Sequence, residues 1–159
     1  MRSDAAHRQM TCATCHQSHT FDTRTAAVDA CMTCHHDPHT QAYTHSSHYA
    51  LWQREIAGTA PAGTGVSCAT CHLPRQVHRQ GETRWITVQH NQNDNLRPNE
   101  KMLRSVCLSC HGLRFSIDAL ADPALVARNF QGQASRHVPS MDWALQRVKT
   151  DAKPSASRK

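Results

Sequence analysis

Four copies of one five-residue pattern, Cys-x-x-Cys-His, constrain this chain more than any other feature of it. They are Cys12-Ala13-Thr14-Cys15-His16, Cys31-Met32-Thr33-Cys34-His35, Cys68-Ala69-Thr70-Cys71-His72 and Cys107-Leu108-Ser109-Cys110-His111, and between them they use all eight cysteines. This is the attachment pattern of c-type haem: two thiols form thioethers to the porphyrin vinyl groups, and the adjacent imidazole becomes the proximal iron ligand. The expectation is four covalently bound haem c groups, with His16, His35, His72 and His111 as proximal ligands.

Three other uses of paired cysteines fit less well. A disulfide scaffold also takes an even cysteine count, but has no reason to place His after every second Cys. Four Cys-x-x-Cys units could form two four-sulfur zinc sites. Even at this chain's own His frequency, 13 in 159, four chance matches at that position have a probability of only about 4 in 100,000. A thioredoxin-like redox motif would be single and set in a β-α-β pattern, which is absent.

Composition bears on how such a chain could fold. Only 38% of the residues are hydrophobic and 5% aromatic, so a side-chain core would be thin for a domain of this length. Four porphyrins, each a large apolar plate, would supply what is missing. The expected fold is therefore mainly α with long loops, a multihaem cytochrome c wrapped on four covalent haems, with little or no β-sheet and an apoprotein that is largely unfolded.

The formal charge of +6 invites a nucleic-acid or membrane-surface reading. A ferric haem with ionised propionates carries about −1 and a ferrous one about −2, so four bring the total to roughly +2 oxidised or −2 reduced. Many of the 14 Arg then suit propionates or a docking rim, because a guanidinium pairs bidentately with carboxylates. No nucleic-acid partner is expected. No run approaches the 18 or more apolar residues of a membrane span.

Along the chain, the first two motifs begin 19 residues apart and the later intervals are 37 and 39. That spacing suggests a first dihaem module at 1–57, a linker at 58–65 rich in Ala, Pro, Gly and Thr, a second dihaem module with C-terminal helices at 66–148, and a disordered tail at 149–159. Asp37-Pro38 reads as a turn. Residues 44–57 read as a helix with Thr44 as N-cap. Residues 85–88 could be a short strand, but fit better as an extended segment on a porphyrin face. Pro98 suits the first turn of a helix leading into the fourth motif, Asp122-Pro123 an N-cap and N1, and Ser140 the start of a last helix.

A haem iron takes two axial ligands, and the identity of the second decides function. A second His gives a stable low-spin electron carrier, Met raises the potential, and an open position binds substrate. Nine His lie outside the motifs. The candidates for distal ligation are His48 and His39, then His90 and His19, with His36, His45, His78, His7 and His137 behind them. Met10, Met102 and Met141 suit core packing better than ligation.

Several of these residues also carry a resemblance. Residues 31–48, with His39 and Ser46-Ser47-His48 following the motif, then Trp52, then Gly65-Val66-Ser67-Cys68-Ala69-Thr70-Cys71-His72-Leu73-Pro74 and His90-Asn91, resemble the multihaem cytochromes grouped around hydroxylamine oxidoreductase, its tetrahaem electron acceptor and the multihaem nitrite reductases. The likeness covers roughly residues 11–113. It implies haems in stacked and perpendicular pairs, most irons with two His, and His39, His48 and His90 as distal ligands. Haem attachment in such cytochromes occurs outside the cytoplasm, so a periplasmic or extracytoplasmic location is expected. Residues 1–10 show no apolar signal region, so a leader already removed, or a longer chain, is expected with it. The chain departs from the enzymes of that group in having four motifs, no Cys-x-x-Cys-Lys variant and no Tyr matching a cross-linking position.

Together these readings favour an electron-transfer protein over an independent catalyst. Its partners would be a quinol-oxidising membrane cytochrome or another cytochrome on one side and a terminal reductase or oxidase on the other. The alternative is a part of a multihaem oxidoreductase acting on small nitrogen or sulfur compounds, with Arg84 and His78 or His90 above an open iron. Conducting filaments, with a spare His such as His7 or His137 ligating a neighbour's haem, are a third possibility that nothing in the sequence favours.

Overall fold

The computed structural model describes residues 9–19 and 22–151. The chain is mainly helical, and its helices are short. In order, α1 spans Cys12–Cys15, a π-helical turn at Thr25–Asp29 runs into α2 at Ala30–Met32, α3 spans Pro38–Thr44, α4 Ser47–Ile56 and α5 Cys68–His72. Strands β1 (Arg75–Gln80) and β2 (Thr83–Val88) form an antiparallel hairpin. Then come α6 (Gln92–Leu96), a 3-10 turn at Asn99–Lys101, α7 (Met102–Ser105), a second 3-10 turn at Cys107–Ser109, α8 (Leu113–Leu120), α9 (Pro123–Ala127) and α10 (Pro139–Asp151). No helix among the described residues is long and apolar enough to cross a membrane.

Each Cys-x-x-Cys-His segment is about one helical turn, and local chemistry explains why. The residue before the second Cys always carries a hydroxyl, and that hydroxyl always bonds the backbone three residues earlier. Thr14 Oγ1 accepts from the Thr11 amide at 3.1 Å and Thr70 Oγ1 from the Ser67 amide at 3.0 Å, while Thr33 and Ser109 donate to the Ala30 and Val106 carbonyls at 2.7 and 2.5 Å. At the first, second and fourth motifs the His amide donates to the carbonyl of the first Cys, at 2.8, 3.0 and 2.8 Å. A turn closed in this way sets positions i, i+3 and i+4 on one face, so both thiols and the imidazole emerge together.

The connections differ from the sequence expectation in instructive ways. Asp37-Pro38 does end the second motif, but it also starts α3: the Asp37 carboxylate accepts from the His39 and Thr40 amides, with Pro38 in the first turn. The helix expected at 44–57 starts later, because Thr44 closes α3 and the buried Ser46 caps α4 by accepting from the Tyr49 amide at 3.1 Å. Asp122 caps α9 as expected, accepting from Ala124 and Leu125. Pro98 precedes a 3-10 turn rather than opening a helix. The 85–88 segment is a true strand, paired from Arg75↔Val88 to Gln80↔Thr83. Helix α10 continues through Asp151, into the stretch expected to be a disordered tail, whose remainder at 152–159 lies outside the described residues.

The segment at 58–65 is anchored. The Glu55 carboxylate accepts from the Gly63 amide at 2.8 Å and the Gly65 amide at 2.5 Å. A side chain at Gly65 would bring a Cβ within 2.6 Å of Glu55 Oε2 and 2.9 Å of Trp52 Cα, so the backbone needs glycine for close approach. Just beyond, the Tyr43 hydroxyl donates to the Val66 carbonyl at 2.9 Å. Gln131 donates to the Ala42 carbonyl, tying the C-terminal half back onto α3. The two halves of the chain therefore interlock.

What these ties surround is a thin core. The buried apolar residues among those described are Val28, Tyr43, Met102, Ala119, Leu120 and Leu125, and as many polar ones are buried: Ser46, Ser67, Asn95, Ser116, Asp118 and Asp122. Large apolar side chains stay at the surface instead, including Leu108, Leu113 and Phe115 around the fourth motif. Six buried apolar residues hold too little area to stabilise a chain of this length by side-chain burial alone.

Candidate functional site

The interlocking brings imidazoles from one half of the chain against motif imidazoles of the other. His39, on α3, faces His72, with ring centroids 6.4 Å apart and planes at 73°. His48, on α4, faces His111, with centroids 6.0 Å apart and planes at 63°. A metal-bound imidazole nitrogen sits about 2 Å from its metal and about 1.1 Å from its own ring centre, so two imidazoles on opposite sides of one iron have centroids about 6 Å apart. Both pairs match that spacing, and in each the motif His is joined by a His that sequence reasoning ranked first.

Neighbouring groups prepare these rings as ligands. His39 Nδ1 lies 3.0 Å from the Val126 carbonyl, which can only accept, so Nδ1 carries the proton. Its Nε2 is then the acceptor, and the Asn129 amide donates to it at 3.2 Å. A His held in that tautomer presents its Nε2 lone pair on the open side, where a metal would take the place of the Asn129 amide. Burial first, and then His111, lower the pKa of His48; burial, then His39 and His35, lower that of His72, with Asp37 opposing. Both shifts keep the imidazole neutral, the form that binds iron. At the second motif, His35 Nδ1 lies 3.9 Å from the Asp37 carboxylate, on the side where a ligating His takes an outer partner.

The thiols of successive motifs are also neighbours. Burial, then the Cys31 and Cys34 thiols, raise the pKa of Cys15. Cys31 and Cys68 share a hydrogen bond that eases ionisation of Cys31, to about 7, and holds Cys68 far above the usual thiol range. Cys71 is pushed up to about 12, by burial first and by Cys107 second. The order of the motifs in sequence is thus their order in space: first beside second, second beside third, third beside fourth.

The other candidates lie elsewhere. His90 is exposed and its Nδ1 donates to the carbonyl of Val88 at 3.0 Å. His19 is exposed, with a left-handed φ of 65°. His36 is exposed, His45 is bound to Gln41 and Thr44 of its own turn, and His78 stacks on Trp85 and bonds Thr87. His137 binds the buried Asp118 carboxylate at 2.8 Å, and His7 lies outside the described residues. Met102 is buried in the core, whereas Met10 is exposed. Arg84 sits on the exposed hairpin opposite Arg79, with His78 and His90 engaged as above. Sequence reasoning missed Asn129 and the four motif hydroxyls. The hydroxyls had a visible signal, recurring at the same place in every motif; Asn129 had none.

The donor set fits haem better than its rivals. All eight cysteines are unpaired thiols in this structure. Among the described residues, no three His, Cys, Asp or Glu side chains converge as a zinc site requires. Each motif instead offers two thiols and one imidazole on one face, and two motifs add a second imidazole opposite. An open cavity of about 570 Å³ lies against His72, lined also by Gln92, Leu96, Arg97 and Pro98. In it Gln92 Oε1 is buried without a hydrogen-bond partner, the mark of a site whose full complement includes more than protein. Comparison with protein-family models, curated proteins and solved structures finds no match for this chain.

Proposed function

We propose that this chain is a tetrahaem c-type cytochrome that carries electrons between redox partners outside the cytoplasm. The observation that carries the reading is the pairing of His39 with His72 and of His48 with His111 at 6.4 and 6.0 Å, in a chain whose eight cysteines all belong to Cys-x-x-Cys-His motifs. The fold of short helices and thin core is then one wrapped on its cofactors.

Bound in these motifs, haem c supplies reversible one-electron chemistry at iron. The chain's residues do the rest. Cys12 and Cys15, Cys31 and Cys34, Cys68 and Cys71, and Cys107 and Cys110 fix the four attachment points. His16, His35, His72 and His111 are the proximal ligands. His39 and His48 would supply a second imidazole to the haems held at the third and fourth motifs, and haem so held would carry electrons rather than take up a substrate. Val126 holds His39 in the ligating tautomer, and Arg97 in the cavity beside His72 is placed to meet a propionate. The sequential contact of the thiols favours a linear path from the first site to the fourth. Such a protein would connect a quinol-oxidising membrane cytochrome to a terminal reductase or oxidase in the periplasm.

The two paired imidazoles favour this over the alternative, an oxidoreductase of small nitrogen or sulfur compounds with an open iron. The test is the low-temperature EPR and optical spectrum of the fully haem-loaded, oxidised protein. The expected result is four low-spin haems and a reduced spectrum that carbon monoxide leaves unchanged. A high-spin haem that binds nitrite, hydroxylamine or carbon monoxide would overturn the carrier reading in favour of the enzymatic one.

A further inference from the structure

The β1–β2 hairpin has no role in the sites above, and its strands pack closely only on each other. Its register sorts the side chains onto two faces. One carries Val77, Ile86 and Val88 between Arg75, Arg79 and Arg84; the other carries the His78–Trp85 stack, with centroids 5.4 Å apart, flanked by Gln76, Thr87, Gln80 and Thr83. Both faces are open: Val77 is 52% exposed, Ile86 48%, Val88 42% and Trp85 42%. Among the described residues Arg79 and Arg84 form no ion pair with an acid, and Glu82 in the two-residue turn is the hairpin's one acidic group.

We propose that this hairpin is a membrane-docking element, inserting its apolar band into the interface of an anionic lipid bilayer while the Arg79 and Arg84 guanidiniums bind lipid phosphates. The occupant follows from the two open faces and their charge. A folded protein surface, or a porphyrin plate, covers one face of a two-stranded ribbon and leaves the other wet. A second copy would set one Arg row against another. A lipid interface surrounds both faces at once. It accepts Trp at headgroup depth, lets Arg stems lie along apolar surface with their heads in water, and supplies the phosphates that a guanidinium pairs with bidentately. The inference rests on the hairpin alone; it would place an electron carrier beside a membrane partner, but does not depend on the haem reading.

The test is co-sedimentation of the haem-loaded protein with vesicles of phosphatidylglycerol and phosphatidylcholine, against vesicles of phosphatidylcholine alone, with haem content checked separately by absorbance. The protein should bind the anionic vesicles and not the neutral ones. Arg79→Glu with Arg84→Glu should lower partitioning at least about tenfold, Ile86→Asp should lower it with every Arg in place, and Arg54→Glu with Arg136→Glu, away from the hairpin, should change it less than about twofold. No binding by the parent protein overturns the proposal. So does an equal loss from the Arg54 and Arg136 reversals, which would mean a diffuse positive field, or full binding by Ile86→Asp, which would mean surface adsorption without insertion.

Discussion

If the chain holds haem as proposed, replacing His39 by Ala removes one distal ligand and leaves every attachment point in place. With Nε2 given to iron in place of the Asn129 amide, the side chain keeps one hydrogen bond, Nδ1 to the Val126 carbonyl at 3.0 Å. At about 1 kcal/mol, its loss is a tolerable share of the roughly 5–15 kcal/mol that holds a domain folded. The variant should therefore fold and retain its haems. Its spectrum should not survive. Of four haems, the one at His72 loses its sixth ligand, so a quarter of the low-spin signal converts to high-spin. The part that disappears should be a low-field component of large anisotropy, because imidazole planes at 73° leave two iron d orbitals nearly equal in energy. EPR with spin integration reads both changes, and added imidazole should restore the low-spin signal. His45→Ala is the control, since His45 bonds only within its own turn, and should change nothing. An unchanged low-spin signal in His39→Ala would refute the assignment of His39.

Acid should weaken the fold around His48 and His72. His48 and His72 have folded-state pKa values below the ordinary imidazole value, so the unfolded chain binds more protons than the folded one as pH falls through about 6.5. The stability they contribute is present above that pH and lost below it. Thermal denaturation followed across pH should show the midpoint falling on the acid side of about pH 6.5, and a midpoint that does not fall there would contradict this. Ser67→Ala removes the oxygen that caps α5 at 3.2 Å from the Thr70 amide; thermal denaturation should show a loss of about 1 kcal/mol. Gly65→Ala puts a Cβ within 2.6 Å of Glu55 Oε2 and 2.9 Å of Trp52 Cα, and should cost about 1–3 kcal/mol in the same measurement. A neutral result there would mean that the 58–65 segment is not held against α4.

The four Cys-x-x-Cys-His turns could be named from the sequence because their spacing falls within five residues, and His39 and His48, which lie against motif imidazoles, because the chain is enriched in His near the second motif. Which motif each His faces was not legible. His39 and His48 follow the second motif in sequence, yet they face the third and fourth, because Tyr43 bonds Val66, Glu55 holds Gly65 and Gln131 bonds Ala42. Those are tertiary ties between residues with no local pattern. The hairpin was half legible: Thr83–Val88 is rich in β-branched residues, but Arg75–Gln80 has only Val77 as an apolar residue, and only Gly81, at a φ of 58°, marks the turn. The cap of α4 went to Ser46 rather than Thr44 because a preceding helix, begun at Asp37-Pro38, had already taken Thr44.

The mass of the intact protein, produced where c-type haem is attached and then denatured in acid to strip any loosely held group, bears on the whole reading at once. The Cys-x-x-Cys-His turns predict a single species heavier than the polypeptide by four haems, with no free thiol for alkylation to find. A polypeptide of unmodified mass with eight reactive thiols, or one that loses zinc on acidification, would contradict it.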